Sequence, residues 1–283
     1  MPPTSPSSSV QNARRQLAER LREVRLDVGI TKRELAARCQ WSEAKSSRIE
    51  NARTSPSDED VRAWCRACGA EGLAADLVAA NREADSLYVQ WRRLQRTGLR
   101  RLQVSAVPLY ERTRHFKVYC HNVVPGFLQT PGYASVLLQA IASFRGVPDD
   151  IAEAVEARMA RSQVIRRGDH RFGIVIEEAL LGYRLGDAGV MSAQLGHLLT
   201  AMELPAVSLG IIPAVTQRTM WPIESFTIFD DERVDHEPLS ASVKITAPDE
   251  VSQYVKAFAA MHQQAVYGAQ ARTLILKAIE ALH

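Results

Sequence analysis

The chain has 283 residues, of which 46% are hydrophobic and 24% charged, so it contains enough apolar material for one large globular domain or two ordinary ones. Its net charge of only +3 excludes a protein that is basic throughout its length. The positive charge is concentrated instead, because residues 12–56 carry eleven Lys and Arg against six Asp and Glu. A basic segment on a near-neutral chain predicts that one end alone contacts phosphate groups.

Cysteine usage and hydropathy indicate the compartment. The four cysteines have no spacing typical of a disulfide framework, and the first ten residues, MPPTSPSSSV, lack the cationic and apolar regions of a secretory signal. No stretch approaches the roughly 18 uninterrupted apolar residues of a membrane helix. We therefore predict a cytoplasmic protein that makes no contact with a membrane.

The N-terminal third is predicted to be helical. Residues 1–10 are rich in Pro and Ser and predict a disordered tail. Over residues 11–84, apolar residues recur at intervals of three and four, which predicts a bundle of amphipathic helices. Residues that cap or end such helices occur throughout this segment: Gly29, Thr31 with Glu34, Ser42, Ser57 and Gly69. Residues 85–98 are predicted to form a helical linker.

The remainder, residues 99–283, alternates between two patterns. Runs of β-branched and aromatic residues predict strands over residues 116–124, 172–176, 207–212, 225–229 and 243–246. Helices are predicted over residues 149–166, 191–202 and 248–282, the last with a break near Gly268. Strands interleaved with helices favour an α/β domain with a mixed sheet, so the predicted fold class is α+β with two domains.

A helix-turn-helix is predicted over residues 31–56, which read TKRELAARCQWSEAKSSRIENARTSP. A short helix with Leu35 and Ala36 on its inner side precedes a tight turn at Trp41, and a second helix opens at Ser42. In this motif the first helix supports the second, which enters the major groove of DNA. Helical hairpins of mixed charge also occur as plain solvent-exposed surface, but the caps and the spacing of the two helices favour DNA binding.

The second helix would supply the residues that read the bases. Its outward positions are Glu43, Ala44, Lys45, Ser47 and Arg48. Lys or Arg donates to guanine, Glu accepts from cytosine, and the methyl group of Ala contacts that of thymine. Another set is predicted to contact the DNA backbone, through side chains or helix N-terminal amides: Thr31, Lys32, Ser42, Asn51 and Arg53.

Two parts of the chain resemble known families. Residues 12–70 resemble an XRE-type, λ-repressor-like helix-turn-helix domain, on the pattern Leu35-Ala36, Ser42, Ser47-Arg48-Ile49-Glu50 and Pro56-Ser57. The rest resembles the C-terminal domain of actinobacterial regulators described as antitoxin-like, a domain long catalogued as one of unknown function. Its matching stretches are VPGFLQTPGYA at residues 124–134, RMARSQ at 158–163 and EEAL at 177–180.

The resemblance implies a transcriptional regulator. A regulator with this motif is expected to bind double-stranded operator DNA as a homodimer, with half-sites one helical turn apart. Its C-terminal domain would dimerise, take up a signal or bind a partner. The resemblance suggests a small protein encoded nearby as that partner.

Two positions depart from the helix-turn-helix family. Ser46 stands where the family usually has Val or Ile, and a hydroxyl group there loses roughly 1–2 kcal/mol of apolar burial. Ala52 stands where the family favours Gly after the second helix. If this position is left-handed, Ala strains it by about 1 kcal/mol.

Three other groups carry reactive side chains but predict no catalytic or metal site. Cys65 and Cys68 lie on a predicted helix without further ligands nearby, which favours buried structural thiols over a zinc site. Adjacent strand residues point to opposite faces, so the run Asp235-His236-Glu237 cannot chelate one ion. The pair Glu177-Glu178 lacks a partner carboxylate or a nucleophile motif. We therefore predict no metal, no cofactor and no enzymatic activity.

A second hypothesis belongs to another class. The C-terminal domain could be a small-molecule receptor, or a vestigial enzyme domain, that the helix-turn-helix localises to DNA. An apolar pocket lined by a few converging polar groups would favour it. The stretch VPGFLQTPGYA is either a structural loop that starts a helix at Pro131 or a loop that contacts a ligand or partner.

Overall fold

The computed structural model describes residues 8–90, 94–96 and 98–282. The chain divides into two compact units, one that ends at Val89 and one that begins at Gln90. The short strand β1, Tyr88–Gln90, spans this division. Each unit has its own hydrophobic core.

The N-terminal unit is helical, as predicted. Its elements are α1 (Ser8–Asp27), α2 (Lys32–Arg38), α3 (Glu43–Glu50), α4 (Asp58–Ala67), a 3₁₀ turn (Glu71–Leu73) and α5 (Ala74–Leu87). The predicted tail overlaps the start of α1, and its residues 1–7 lie outside the described residues. Residues 91–93 and 97 of the predicted linker also lie outside them.

Side-chain caps fix where these helices begin. The Thr31 amide donates to Glu34 Oε2 at 2.7 Å, and the Glu34 amide donates to Thr31 Oγ1 at 3.2 Å. This confirms the predicted capping box. Ser57 and Asp60 form a second capping box on α4. Ser42 caps α3 by accepting from the amide of Lys45.

The core of the N-terminal unit surrounds Trp64, whose side chain is fully buried. Its indole Nε1 donates to the carbonyl oxygen of Leu21 at 2.9 Å, so its polar atom is satisfied. Leu35 of α2 and Ile49 of α3 belong to the same core. The two helices of the predicted motif are therefore anchored by their inner faces, which leaves the outer side of α3 available.

Six strands form a mixed sheet in the C-terminal unit, which confirms the predicted fold class. The strands are β2 (His115–Cys120), β3 (Arg171–Glu177), β4 (Val207–Ile212), β5 (Phe226–Phe229), β6 (Arg233–His236) and β7 (Ala241–Ile245). They lie in the order β7-β6-β5-β2-β3-β4. Strands β2, β3 and β4 are parallel, whereas β5 is antiparallel to β2 and to β6, and β6 to β7.

The prediction of a strand over residues 116–124 was wrong at its end. Strand β2 stops at Cys120, and the backbone of Val124 is hydrogen-bonded to Gln129 and to Tyr133 of the helix that follows the loop. The Val124 amide donates to Tyr133 Oη at 3.2 Å, and its carbonyl oxygen accepts from Gln129 Nε2 at 2.7 Å. These groups are therefore not available to a sheet ladder.

Helices surround the sheet. They are α6 (Arg100–Ser105), α7 (Val107–Arg112), α8 (Pro131–Arg145), α9 (Ile151–Ser162), α10 (Glu178–Gly182), α11 (Ala188–Ala201), α12 (Pro248–Gln264) and α13 (Gly268–Glu280), with 3₁₀ turns at Gly126–Leu128 and Gln163–Arg166. The predicted break lies at Gly268, whose φ of +55° begins α13 as a separate helix. Among the described residues, no helix is long and apolar enough to cross a membrane.

One face of the sheet changes character from one half to the other. On β2, β3 and β4 it is apolar, with paired residues such as Phe116 and Phe172, and it belongs to the core. Across β5, β6 and β7 the same face carries one core residue, Phe229, and otherwise half-buried polar side chains: Thr227, Arg233, Asp235, Ser242 and Lys244. This half of the face is polar because the alternation of each strand places the apolar residues on the opposite side.

Candidate nucleic-acid interface

The turn between α2 and α3 is fixed by backbone and ring contacts. Gln40 takes up a left-handed conformation with φ of +58°, and the Trp41 amide donates to the carbonyl oxygen of Ala36 at 2.8 Å. The ring of Trp41 lies 6.2 Å from that of Trp64, centroid to centroid. The direction in which α3 leaves the turn is thus set by the core.

The outer side of α3 presents most of the predicted base-reading residues. Glu43, Ala44 and Arg48 are exposed, whereas Lys45 and Ser47 are half-buried. The inner side of the helix is formed by buried residues, so the predicted division of the helix into two sides is observed. Whether the outer residues read bases stays a prediction.

Lys45 already has two partners. Its Nζ lies 2.7 Å from Asp60 Oδ1 and 4.4 Å from the centroid of the Trp41 ring. Burial raises the pKa of Asp60, but the hydrogen bonds from Lys45 and Ser57 outweigh it and lower that pKa overall. To contact a base, Lys45 must therefore break its ion pair with Asp60 and donate to a guanine acceptor instead.

Lys32, predicted to contact phosphate, takes part in a buried ion-pair network. Glu50 is buried at the end of α3 and pairs with the guanidinium group of Arg25 and with Lys32, whose Nζ lies 3.1 Å from Glu50 Oε2. Arg25 also donates from Nη1 to the carbonyl oxygen of Ile30 at 2.6 Å. The network joins α1, α2 and α3, and our sequence reasoning missed it. The sequence signal that could have revealed the network was Glu50, an acidic residue at an inward-facing position of α3.

Arg48 and Arg53 are predicted contact residues whose charge is uncompensated within the described part of the chain. Both are exposed, and among the described residues neither forms an ion pair with a carboxylate. The exposed Arg33 of α2 is likewise unpaired within the described part of the chain. An unpaired guanidinium group loses no protein partner when it meets phosphate or guanine.

The other predicted backbone contacts lie at helix ends. Thr31 and Ser42 are exposed N-caps of α2 and α3, where backbone amides face outward. Asn51 is the C-cap of α3, and its Nδ2 donates to the carbonyl oxygen of Ser47 at 2.7 Å. Its amide group therefore terminates the helix, and a contact with phosphate would be additional to that role.

Both departures from the family pattern have the local consequence expected of them. Ser46 is fully buried, and its hydroxyl group has no hydrogen-bond partner among the described residues. Ala52 is left-handed, with φ of +51°. The first leaves a desolvated polar group in the core, and the second holds an L-residue where Gly costs less.

Comparison with protein families agrees with this geometry. Residues 16–78 match a helix-turn-helix domain, which indicates DNA binding, and residues 105–277 match a domain of unknown function, DUF5753. The second match covers more than half of the chain. The chain belongs to the DUF5753 family. No curated protein and no solved structure matches it.

In this DUF5753 protein, two of the remaining candidate groups, the cysteine pair and Glu177, are accounted for by burial or by structural contacts. Cys65 and Cys68 are buried, and burial raises both their pKa values, that of Cys68 to about 11. Glu177 accepts from Tyr119 Oη at 2.8 Å and pairs with Arg218. Among the described residues, no group of three or more His, Cys, Asp or Glu side chains could hold a metal ion.

The loop of the DUF5753 domain that the sequence singles out is both anchored and accessible. Gln194 fixes it by donating to the carbonyl oxygen of Leu128 at 2.6 Å and accepting from the amide of Thr130 at 2.8 Å. The same loop lines a cavity of about 270 Å³ together with residues of α9, the following 3₁₀ turn and α11, among them Gln163, Arg166 and His197. The hydrogen bonds to Gln194 therefore support a structural loop, and the cavity supports a loop that contacts a ligand or partner.

Proposed function

We propose that this DUF5753 protein is a sequence-specific transcriptional regulator without catalytic activity, and that it binds operator DNA as a homodimer. The observation that carries the proposal is the outer side of α3, where Arg48 is exposed and unpaired within the described part of the chain. Arg53, just after the helix, adds a second unpaired cation for the phosphate backbone.

The C-terminal unit supplies dimerisation and the response to a partner or signal. The resemblance to antitoxin-like actinobacterial regulators supports a small protein encoded nearby as the partner. A dimer would place two copies of α3 in successive major grooves on one side of the DNA. Operators with two related half-sites separated by one helical turn are therefore expected.

The test is selection of binding sites from random double-stranded DNA by the purified full chain, followed by salt titration on the enriched site. We expect one enriched motif with two half-sites, and an affinity that falls as the salt concentration rises, because phosphate contacts release counterions. No enrichment, or an affinity independent of salt, would contradict the proposal.

The second candidate function is a small-molecule receptor, or a vestigial enzyme domain, localised by the helix-turn-helix. The 270 Å³ cavity favours it, because apolar residues line the cavity together with polar groups, including Gln163 and His197. Burial, and next to it the charge of Arg166, lowers the pKa of His197. A metabolite that binds the protein without changing operator affinity would favour this candidate over the regulator.

A further inference from the structure

Two arginines of the RMARSQ stretch lie side by side in the DUF5753 domain. Arg158 donates from Nε to Gln103 Oε1 at 3.1 Å and from Nη1 to Gln129 Oε1 at 2.7 Å. Arg161 donates from Nη1 to the carbonyl oxygen of Gln103 at 3.3 Å. The two guanidinium groups thus share one anchoring residue, and each is oriented by neutral acceptors.

Neither charge is compensated by an ion pair. Within the described part of the chain, no carboxylate pairs with Arg158 or Arg161. Arg161 instead lies over the ring of Tyr110, with Cζ 4.7 Å from the ring centroid. Two half-buried like charges one helical turn apart repel each other, so their fixed orientation favours a negatively charged third group between them.

Burial shifts the pKa of Arg158 and of Glu237. Arg158 keeps part of its solvent contact, yet burial, followed by the charge of Arg161, lowers its pKa to about 10. Glu237 is exposed, yet burial raises its pKa.

Glu237 lies on the sheet side of the arginines. It directly follows β6, and it is close enough to Arg158 and Arg161 for their charges to lower its pKa against the effect of burial. It nevertheless forms no ion pair with either of them. The negative charge of Glu237 would therefore repel an anion that approaches the two arginines.

We propose that Arg158 and Arg161 bind the anionic group of a small molecule, a carboxylate or a phosphate, and that Glu237 opposes this binding by its charge. The arginines are enclosed by Gln103 of α6, Tyr110 of α7 and Gln129 of the loop. This enclosure favours a small molecule over a DNA duplex or a folded partner. The site would supply the signal of the proposed regulator and in that sense rests on the proposed function.

The test is calorimetric titration of the full chain with inorganic phosphate and, separately, with succinate, at constant ionic strength. The probe that binds identifies the preferred anion. We expect Arg158→Gln and Arg161→Gln each to weaken binding by about tenfold or more, because a charge-assisted hydrogen bond is lost. Arg167→Gln is the matched control, since Arg167 is exposed on the same segment and should leave binding unchanged. Glu237→Gln should strengthen binding.

The result that neither probe binds the unchanged protein overturns the inference, and so does binding that survives both arginine substitutions. Circular dichroism checks that the variants fold. If the arginine variants do not fold, Glu237→Gln is the deciding variant. An unchanged affinity for the anion in that variant would contradict the proposal that Glu237 opposes binding at this site. No DNA is present in this assay, so its failure and the failure of operator binding are distinguishable.

Discussion

At the level of single residues, the hydroxyl group of Ser46 is fully buried on α3 without a partner among the described residues. Ser46→Ala should therefore raise the free energy of unfolding by about 1 kcal/mol, because it removes a desolvated polar group of similar volume. Equilibrium urea unfolding followed by circular dichroism measures the change. Ser57→Ala is the opposite control, since loss of that N-cap should lower stability by about 1 kcal/mol. A lower stability for Ser46→Ala would contradict the prediction.

The unpaired cations Arg48 and Arg53 should differ in what they contribute to DNA binding. Replacing Arg48 by Ala should cost about 1–3 kcal/mol on the preferred site and relax the choice of base at one position. Replacing Arg53 by Ala should weaken all sites similarly and reduce the salt slope by about 1. Fluorescence anisotropy on sites that differ at single positions separates the two outcomes. Unchanged base preference in Arg48→Ala would remove Arg48 from the reading residues.

At the level of elements, the ion-pair network around Glu50 joins α1, α2 and α3. Glu50→Gln should lower the free energy of unfolding by about 3 kcal/mol, because it leaves Arg25 buried with an unpaired charge. The exposed Glu43 on the same helix is the matched control, and Glu43→Gln should change stability by less than about 0.5 kcal/mol. Thermal and urea unfolding of both variants give the comparison. Equal stabilities would show that the network does not hold the helices together.

Helix boundaries are the part of the fold that could be predicted best from the sequence. Thr31, Ser42 and Ser57 cap helices in the structure because a cap needs only residues within one turn of each other. The end of β2 was mispredicted, because the bonds that withdraw Val124 from the sheet come from later residues, Gln129 of the loop and Tyr133 of α8.

At the level of the whole molecule, His236 should make the stability of the C-terminal unit depend on pH. Both ring nitrogens are buried without a partner among the described residues, and burial lowers the pKa of the ring despite the opposing charges of Glu224 and Asp235. As the pH falls through about 6.5, the unfolded chain binds a proton that the folded chain does not, so stability decreases. Above that pH the ring is neutral in both the folded and the unfolded chain, so it causes no loss of stability.

Urea unfolding on both sides of that pH tests the prediction. His236→Leu should reduce the loss of stability on acidification, because the titrating group has been removed. Val234→Ala is the control, since Val234 is buried on the same strand and does not titrate, so the pH dependence of stability should stay unchanged. An unchanged pH dependence in His236→Leu would contradict the prediction.

The sequence by itself determined the local features of this protein: the helix-turn-helix with its caps, the division into a helical and an α/β part, and the residues on the outer side of α3. These features follow from periodicity and from contacts within a few residues. Only the tertiary structure decided which positive charges of the motif are available to DNA. Lys45 forms an ion pair with Asp60 of another helix, and Lys32 forms one with Glu50 of another helix. The tertiary structure likewise brought Glu237 close to Arg158 and Arg161, because sheet register and helix packing join residues that are far apart in the chain.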